Sequence, residues 1–459
     1  MLLPVQRAGK RQRLEPVDAP SLERQLRQRL ADKVSGNFLG LWLLLPEHLR
    51  LGTWDILRGW SGNLTHDALA ARLALHLVHE SALCRPTLRA DRSLLHQGFE
   101  LANGLPFVPT DRAIHELLED HTIHQAHQLQ IVLGKLRRAS GHFSGRLLAL
   151  DPHRLVSYSK RDMVQRRASA NQPATKQAQT FFLLDAHTGQ PICLVNASSG
   201  RGLTQATQQL LQLAQQILPS SQEPALLVAD VEHFAVELLD YVRQSTPFDL
   251  LVPLRQTDSL RRHYQTIPER AFTRHWAGFA IATEIFLPRR TILSQPCYRY
   301  IQRTGERVQD YHFKGFGCTR ARSEVPALTA DFPKRWHIEE FFRFDQDLGW
   351  KRAGTLNLNV RLGQMTLALV AQTVIHQLRK RLGLPFARWD SLHFAKDLFG
   401  GLEGDLRVDH DTVFVTYYNA PHAQSWKEHF ENLPQRLQKE GVDPRIPWLY
   451  NFKLDFRFK

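Results

Sequence analysis

Cysteine and methionine are scarce in this chain, with four of one and three of the other in 459 residues. Cys84, Cys193, Cys297 and Cys318 lie far apart and form no C-x-x-C pair. That spacing excludes a zinc ribbon and a disulfide framework, so buried, reduced and inert thiols are expected. Long hydrophobic runs are also missing: nothing approaches the ~18 uninterrupted apolar residues of a membrane span. The most hydrophobic segment, FLGLWLLLP from Phe38, suits a core helix or strand. The opening MLLPVQRAGKRQRLEP lacks the long apolar region and small-residue cleavage site of a secretory signal. A soluble cytoplasmic protein with no membrane partner is expected. No GxxxxGK phosphate loop followed by Ser or Thr occurs, and no GxSxG elbow, which argues against nucleotide hydrolysis and against an α/β-hydrolase nucleophile.

Acidic charge falls short as well. Lysine and arginine total 59 against 45 aspartates and glutamates, a formal net charge of +14. Such an excess suits a polyanionic partner, because every phosphate neutralised releases condensed counterions. Arginine predominates, and its planar fork grips phosphates bidentately. A merely basic soluble protein would show the same excess, so charge alone does not decide.

The chain has three textures. Residues 1–140 begin with a polar, basic arm over the first 20 and continue in helical patterns such as SLERQLRQRLADKV and HDALAARLALHLVHE. Residues 141–400 alternate strands with helices: GRLLALD, a hairpin QTFFLLDAHTGQPICLVNA turning at His187-Thr188-Gly189, a helix, ALLVAD, a helix, and FDLLVPL. Between the first strand and the hairpin, SKRDMVQRRASANQPATKQ is polar and basic enough for a long exposed loop. The content of about 265–330, including FAIATEIFLP and YHFKGFGCTR, is aromatic and β-prone and reads as an insertion. Residues 401–459 form an α/β tail. The fold class is α/β.

Two of the apolar strands each end in a lone aspartate, Asp151 and Asp230, the position from which α/β proteins direct chemistry into a crevice. Phe332 to Gly349 reads as one amphipathic helix, with Arg335 and Glu339 four apart on one face. Two strand-end aspartates and a helix-borne glutamate make an oxygen-rich set suited to hard divalent cations and phosphoryl transfer. Arg255, just after the FDLLVPL strand, is a further phosphate candidate. His115, His121, His124 and His127 tempt as metal ligands, but at i, i+3 and i+6 the last three drift around a helix axis and suit a hydrated face. Asp409 and Asp411 around His410 read as a turn.

At these residues the chain resembles a family, the DDE transposases of bacterial insertion sequences whose glutamate sits in a Tyr-x2-Arg-x3-Glu-x6-Lys signature. Here the signature positions are Phe332, Arg335, Glu339 and Gln346, around KRWHIEEFF; the aspartates correspond to Asp151 in ALDPHRLVSYSKR and Asp230 in LLVADVEHF. The resemblance implies a ribonuclease-H-like mixed sheet flanked by helices, with a β-rich insertion before the glutamate helix and a helical N-terminal region that recognises the element's ends. It implies two Mg²⁺ or Mn²⁺ ions, with Asp151 bridging both and Asp230 and Glu339 each completing one side. Arg335 and Lys334 would serve DNA phosphates. Phe332 loses a hydroxyl and Gln346 a charge relative to the signature, departures that bear on strand positioning and that Arg343 could compensate. The activity implied is cleavage at the ends of a mobile element and strand transfer into target DNA, by a homodimer on double-stranded DNA, nucleoid-associated when bound. The rivals are another ribonuclease-H-like nuclease and a non-catalytic DNA-binding relic of a transposase.

Overall fold

The computed structural model describes residues 19–62, 69–84, 98–158, 160, 162–167, 173–198, 200–219, 223–287, 296–351, 355, 357–418 and 420–459. Nearly all of the expected N-terminal arm, and much of the basic loop including Arg161, lie outside them. The chain forms two compact units. One comprises the residues up to His121 with Val374–Trp389 and His393–Lys459, and the other Thr122–Thr373 with Asp390–Leu392.

The N-terminal part of the first unit holds α1 (Ala19–Ala31), β1 (Val34–Gly36), α2 (Leu45–Leu51), α3 (Thr53–Trp60), α4 (Leu69–Ala82), α5 (Phe99–Ala102) and α6 (Asp111–Asp120). The hydrophobic run after Phe38 becomes a 3-10 helix, Leu39–Leu44, running into α2. All its large side chains are buried, each worth roughly 1.5–3 kcal/mol. The Thr110 hydroxyl caps α6 by accepting from Ala113 N–H. The four histidines do not share a helix. His121 terminates α6, stacked on Trp60 with ring centroids 3.9 Å apart and bonded to the Leu117 and Trp60 carbonyls.

The second unit begins with α7 (Ile123–Ala139), started by a Thr122–Gln125 capping box. It continues with β2 (Leu147–Val156), β3 (Gln165–Arg166), β4 (Thr175–Asp185), β5 (Gln190–Ser198), α8 (Leu203–Ile217), β6 (Ala225–Ala229), α9 (Val236–Ser245), β7 (Phe248–Pro253), α10 (Asp258–Thr266), β8 (Thr273–Trp276), β9 (Phe279–Phe286), β10 (Cys297–Thr304), β11 (His312–Cys318), α11 (Glu324–Pro326), α12 (His337–Asp345) and α13 (Leu358–Leu382), whose last turns belong to the first unit. The strands form one ten-stranded mixed sheet in the order β3-β4-β2-β6-β7-β11-β10-β9-β8, with β5 also on β4. β2, β6 and β7 are parallel neighbours; β4 is antiparallel to β2, and β5 to β4. The β-prone segment at 265–330 does form strands, but they extend this sheet: β11 pairs antiparallel with β7, with Leu251 opposite Cys318. That pairing satisfies backbone groups that β7 would otherwise present as an open edge. The polar loop after β2 is not wholly irregular either, since β3 pairs with β4.

The rest of the first unit contains α14 (Ser391–His393), shared at the boundary, β12 (Gly404–Asp409), β13 (Thr412–Tyr417), α15 (Ala423–Phe430), α16 (Leu433–Lys439) and β14 (Lys453–Phe458). Its sheet runs β1-β12-β13-β14. β1 pairs antiparallel with β12, Ser35 opposite Asp405, so the C-terminal tail and the N-terminal helices share a unit. The units therefore divide the chain differently from the 1–140, 141–400 and 401–459 segments read from sequence texture. Asp409, His410 and Asp411 make the tight turn between β12 and β13, with His410 at φ 52. Among the described residues, no helix is long and apolar enough to cross a membrane.

Candidate active site

Continuous apolar runs give β2 and β6 the texture of parallel strands buried on both faces. They pair with Leu150 opposite Ala229, so Asp151 and Asp230 are the next residues on adjacent strands. One expectation changes here. Asp151 does not end its strand: β2 continues to Val156, paired with β4 alone. What ends is its parallel neighbour. Asp230 turns away from the sheet, its Oδ1 accepting from Val231 N–H at 2.6 Å to cap a 3-10 turn, Val231–His233. Asp151 thus stands where the carboxyl end of β6 opens the sheet.

Strand alternation decides which face the two carboxylates share. Leu148 and Leu150 pack into the core with Leu210 and Leu211 of α8 and Leu238 and Leu239 of α9. Asp151 and His153 therefore face the other side, where the His153 ring stacks on Phe342 of α12 with centroids 4.5 Å apart. Phe182, opposite Asp151 on β4, packs edge-on against the same Phe342 at 5.3 Å. The helix bearing Glu339 accordingly lies on the face that presents Asp151.

The expected single helix over 332–349 is built in pieces. A π-turn, Ala327–Asp331, leads to a 3-10 segment, Phe332–Trp336, then α12, then a 3-10 turn, Gln346–Leu348. Pro333, which has no N–H to donate, sits in the first turn of the 3-10 segment. Arg335 and Glu339 still meet across the junction, Nη2 donating to Oε1 at 3.1 Å. Ile338, Phe341 and Phe342 form the buried stripe of α12.

Burial lifts the Asp151 carboxyl to about 7. Of the charges around it, Arg335 pulls it down most, Asp230 pushes it up, and Arg154 and Glu232 act likewise in opposite senses. Arg335 is therefore a neighbour of both Asp151 and Glu339. Its side chain is 17% exposed against 38% for Glu339, which sets the glutamate at the rim. Sequence reasoning missed the Arg154–Glu232 pair, bidentate at 2.9 and 2.5 Å. Its signal was a third carboxylate two residues beyond Asp230 in ADVEHF.

The other expected residues do not gather here. Lys334 reaches the opposite end of the strands, its Nζ 3.2 Å from His187 Nδ1 in the β4–β5 turn. Phe332 is a packing residue, its ring 5.0 Å edge-on to Phe316. The Gln346 carbonyl accepts from Trp350 and Lys351 N–H, a helix-terminating role. Arg343 is exposed on α12, and Arg255 is exposed two residues past β7, at the same end of the sheet as Asp230.

The donor set fits a hard divalent cation in kind, since Asp151 and Asp230 supply only carboxylate oxygens. It is not assembled for two ions in this arrangement. Among the described residues, no group of three or more His, Cys, Asp or Glu side chains stands ready to hold a metal, and Arg335 occupies one oxygen of Glu339.

No family model matches this chain, and no curated protein matches it. Among solved structures the chain is similar to piggyBac transposase in a synaptic complex with hairpin DNA, at 10% identity over 78% of this chain and 79% of that one, with a TM-score of 0.39.

Proposed function

We propose that this chain is a DNA transposase of the DDE kind, a metal-dependent nuclease and strand-transferase acting at the ends of a mobile element. The observation that carries the reading is the pair Asp151, on β2, and Asp230, just past the end of its parallel neighbour β6 and close enough to act on the Asp151 carboxyl, with the Arg335–Glu339 helix packed on the face that presents Asp151. The order β5-β4-β2-β6-β7, antiparallel and then parallel, supports a ribonuclease-H-like core. The net charge of +14 suits double-stranded DNA as partner.

In this reading Asp151 and Asp230 would hold Mg²⁺ or Mn²⁺, and Glu339 would be free to add its carboxylate to theirs where a DNA phosphate takes its place on Arg335. Bound divalent cations supply Lewis-acid activation of a water or 3′-hydroxyl and neutralise charge at the phosphate. Arg335 would follow: a guanidinium bonded to Glu339 and acting on Asp151 can exchange its carboxylate partner for a phosphate oxygen. Arg255, at the same end of the sheet, extends that cationic path. The homodimer and the end-recognising role of the N-terminal helices belong to the same proposal.

Arg335's hold on Glu339 favours one second reading, a relic that binds DNA without cutting it. A supercoiled plasmid carrying the gene's native flanks, incubated with the protein and Mg²⁺ or Mn²⁺, separates the two. Cleavage at the flank ends leaving 3′-hydroxyls supports the transposase. Binding to the ends with no cleavage in either metal would leave the relic.

A further inference from the structure

Arg361, on the first turn of α13, is 6% exposed. Among the described residues no carboxylate pairs with it, and burial alone pulls its guanidinium down to about 10. A buried cation without a counter-charge is costly, so such groups are ordinarily paired. Arg137 on α7 shows the ordinary solution. It is fully buried, with Asp345 as compensating charge and with Gln190, Gln372 and the Pro191 carbonyl as acceptors. Among the described residues the Arg361 guanidinium has one hydrogen-bond partner, the Thr180 hydroxyl, 3.2 Å from Nη2.

The surroundings are incomplete in the same direction. His153, Thr180 and Asn196 lie in one row across β2, β4 and β5. The Thr180 hydroxyl donates to Asn196 Oδ1 at 3.0 Å, which leaves Asn196 Nδ2 without a partner. Arg361 Nε and His153 Nε2 are also buried and unpartnered. Buried polar atoms in native proteins are nearly always satisfied. An unpartnered Asn196 amide N–H₂ and an unpartnered Arg361 Nε–H on an uncompensated guanidinium describe a place for an oxyanion.

We propose that Arg361 and Asn196, with His153 and Thr180, form a phosphate-binding subsite beside the candidate active site. His153 is two residues beyond Asp151 on the same strand and face, about 6.6 Å along it. A nucleic-acid strand with one phosphate at Asp151 and Asp230 would bring a neighbouring phosphate to Arg361. The subsite's chemistry is that of a phosphate oxyanion, from a DNA backbone or from free phosphate. The choice of the backbone rests on the transposase reading.

The test uses the full chain, with inorganic phosphate and a duplex oligonucleotide as separate probes. In phosphate-free buffer, Arg361→Gln should melt no lower than the wild type, because it removes an uncompensated buried charge. Phosphate should raise the wild-type melting temperature by a few degrees and leave Arg361→Gln unmoved. Asn196→Ala, which keeps the guanidinium, should show a reduced rise. The oligonucleotide should bind Arg361→Gln about tenfold more weakly, with a salt dependence shallower by about one ion. A phosphate response without the oligonucleotide effect supports the subsite and assigns it to the free ion. If the wild type responds to phosphate but binds no oligonucleotide, the DNA reading fails and the subsite stands. Equal responses of wild type and both variants to both probes would overturn the subsite.

Discussion

Each compact unit buries a row of polar side chains, and one row is complete where the other is not. In the first unit Asn103 Oδ1 can only accept, so the proton 2.7 Å away sits on His79 Nδ1. His79 Nε2 then accepts from His48 Nε2–H at 3.1 Å, and His48 Nδ1 accepts from the Thr53 hydroxyl at 2.6 Å. Asn103 Nδ2 closes the chain on the Phe99 carbonyl. Every member is neutral, and burial holds both imidazoles below their ordinary range, His79 at about 3. In the second unit the row His153–Thr180–Asn196 leaves two nitrogens unpartnered around a guanidinium with no counter-charge among the described residues, two residues along β2 from Asp151, whose carboxyl burial lifts to about 7. A satisfied buried network rigidifies the unit that contains it; an unsatisfied one is a site whose remaining partner comes from outside.

The comparison breaks most decisively at activity. Asp151→Asn should lower DNA cleavage on the order of a thousandfold, since metal stabilisation of the transition state is worth several kcal/mol. The same change should leave the melting temperature level or raised, as it removes a buried carboxylate. The converse holds in the first unit. His79→Leu strands His48 Nε2 and Asn103 Oδ1, each costing about 1–3 kcal/mol, and denaturant unfolding should show a loss of about 3 kcal/mol. Cleavage by the folded variant should be unchanged.

Acidity sharpens the contrast, because the two rows have opposite linkage signs. His79 titrates in the native chain at about 3 against 6.5 for the free group, so the unfolded chain binds the extra proton. Its stabilisation is complete above about pH 6.5 and is lost as pH falls toward 3. Asp151 titrates natively at about 7 against 3.8, so the native chain binds the extra proton. Its contribution is complete below about pH 3.8 and is lost as pH rises through 7. Hydrogen exchange followed by unit against pH should show the two trends, with His79→Leu abolishing the first and Asp151→Asn the second. The smallest effect is at Arg335→Ala. Loss of the cation that most lowers Asp151 should move that carboxyl's NMR titration further upward. Stability should change by less than about 1 kcal/mol, as expected for a partly exposed pair.

Much of this site was legible because it rests on local pattern. Buried parallel strands read as continuous apolar runs, so the aspartates that close RLLAL and ALLVA stand out, and the four-residue step from Arg335 to Glu339 survives even a 3-10 to α junction. The rest depends on partners distant in sequence. The proline and the polar pair after Asp151, Pro152 and His153-Arg154, hide the fact that β4 carries β2 on to Val156. Lys334 lies beside Arg335 in sequence, but the β4–β5 turn draws it to the other end of the sheet. Arg361 in LNVRLGQM looks like one cation on an ordinary helix face; only the row across three strands beneath it shows that it is buried and unpaired. The tail joins the N-terminal helices through β1 and β12, a pairing of segments some 370 residues apart that no local periodicity announces.

The central claim is that the carboxylates of the second unit perform chemistry while other residues hold the DNA. Glu339→Gln keeps shape and hydrogen bonding and removes the charge a divalent cation needs. Duplex oligonucleotides carrying the element's ends should be assayed for binding and for strand cleavage in parallel, with Mg²⁺ and with Mn²⁺. The account predicts binding close to wild type, because phosphate contacts come from other side chains, and cleavage and strand transfer reduced together by orders of magnitude. Cleavage by Glu339→Gln at the wild-type rate in either metal would contradict it.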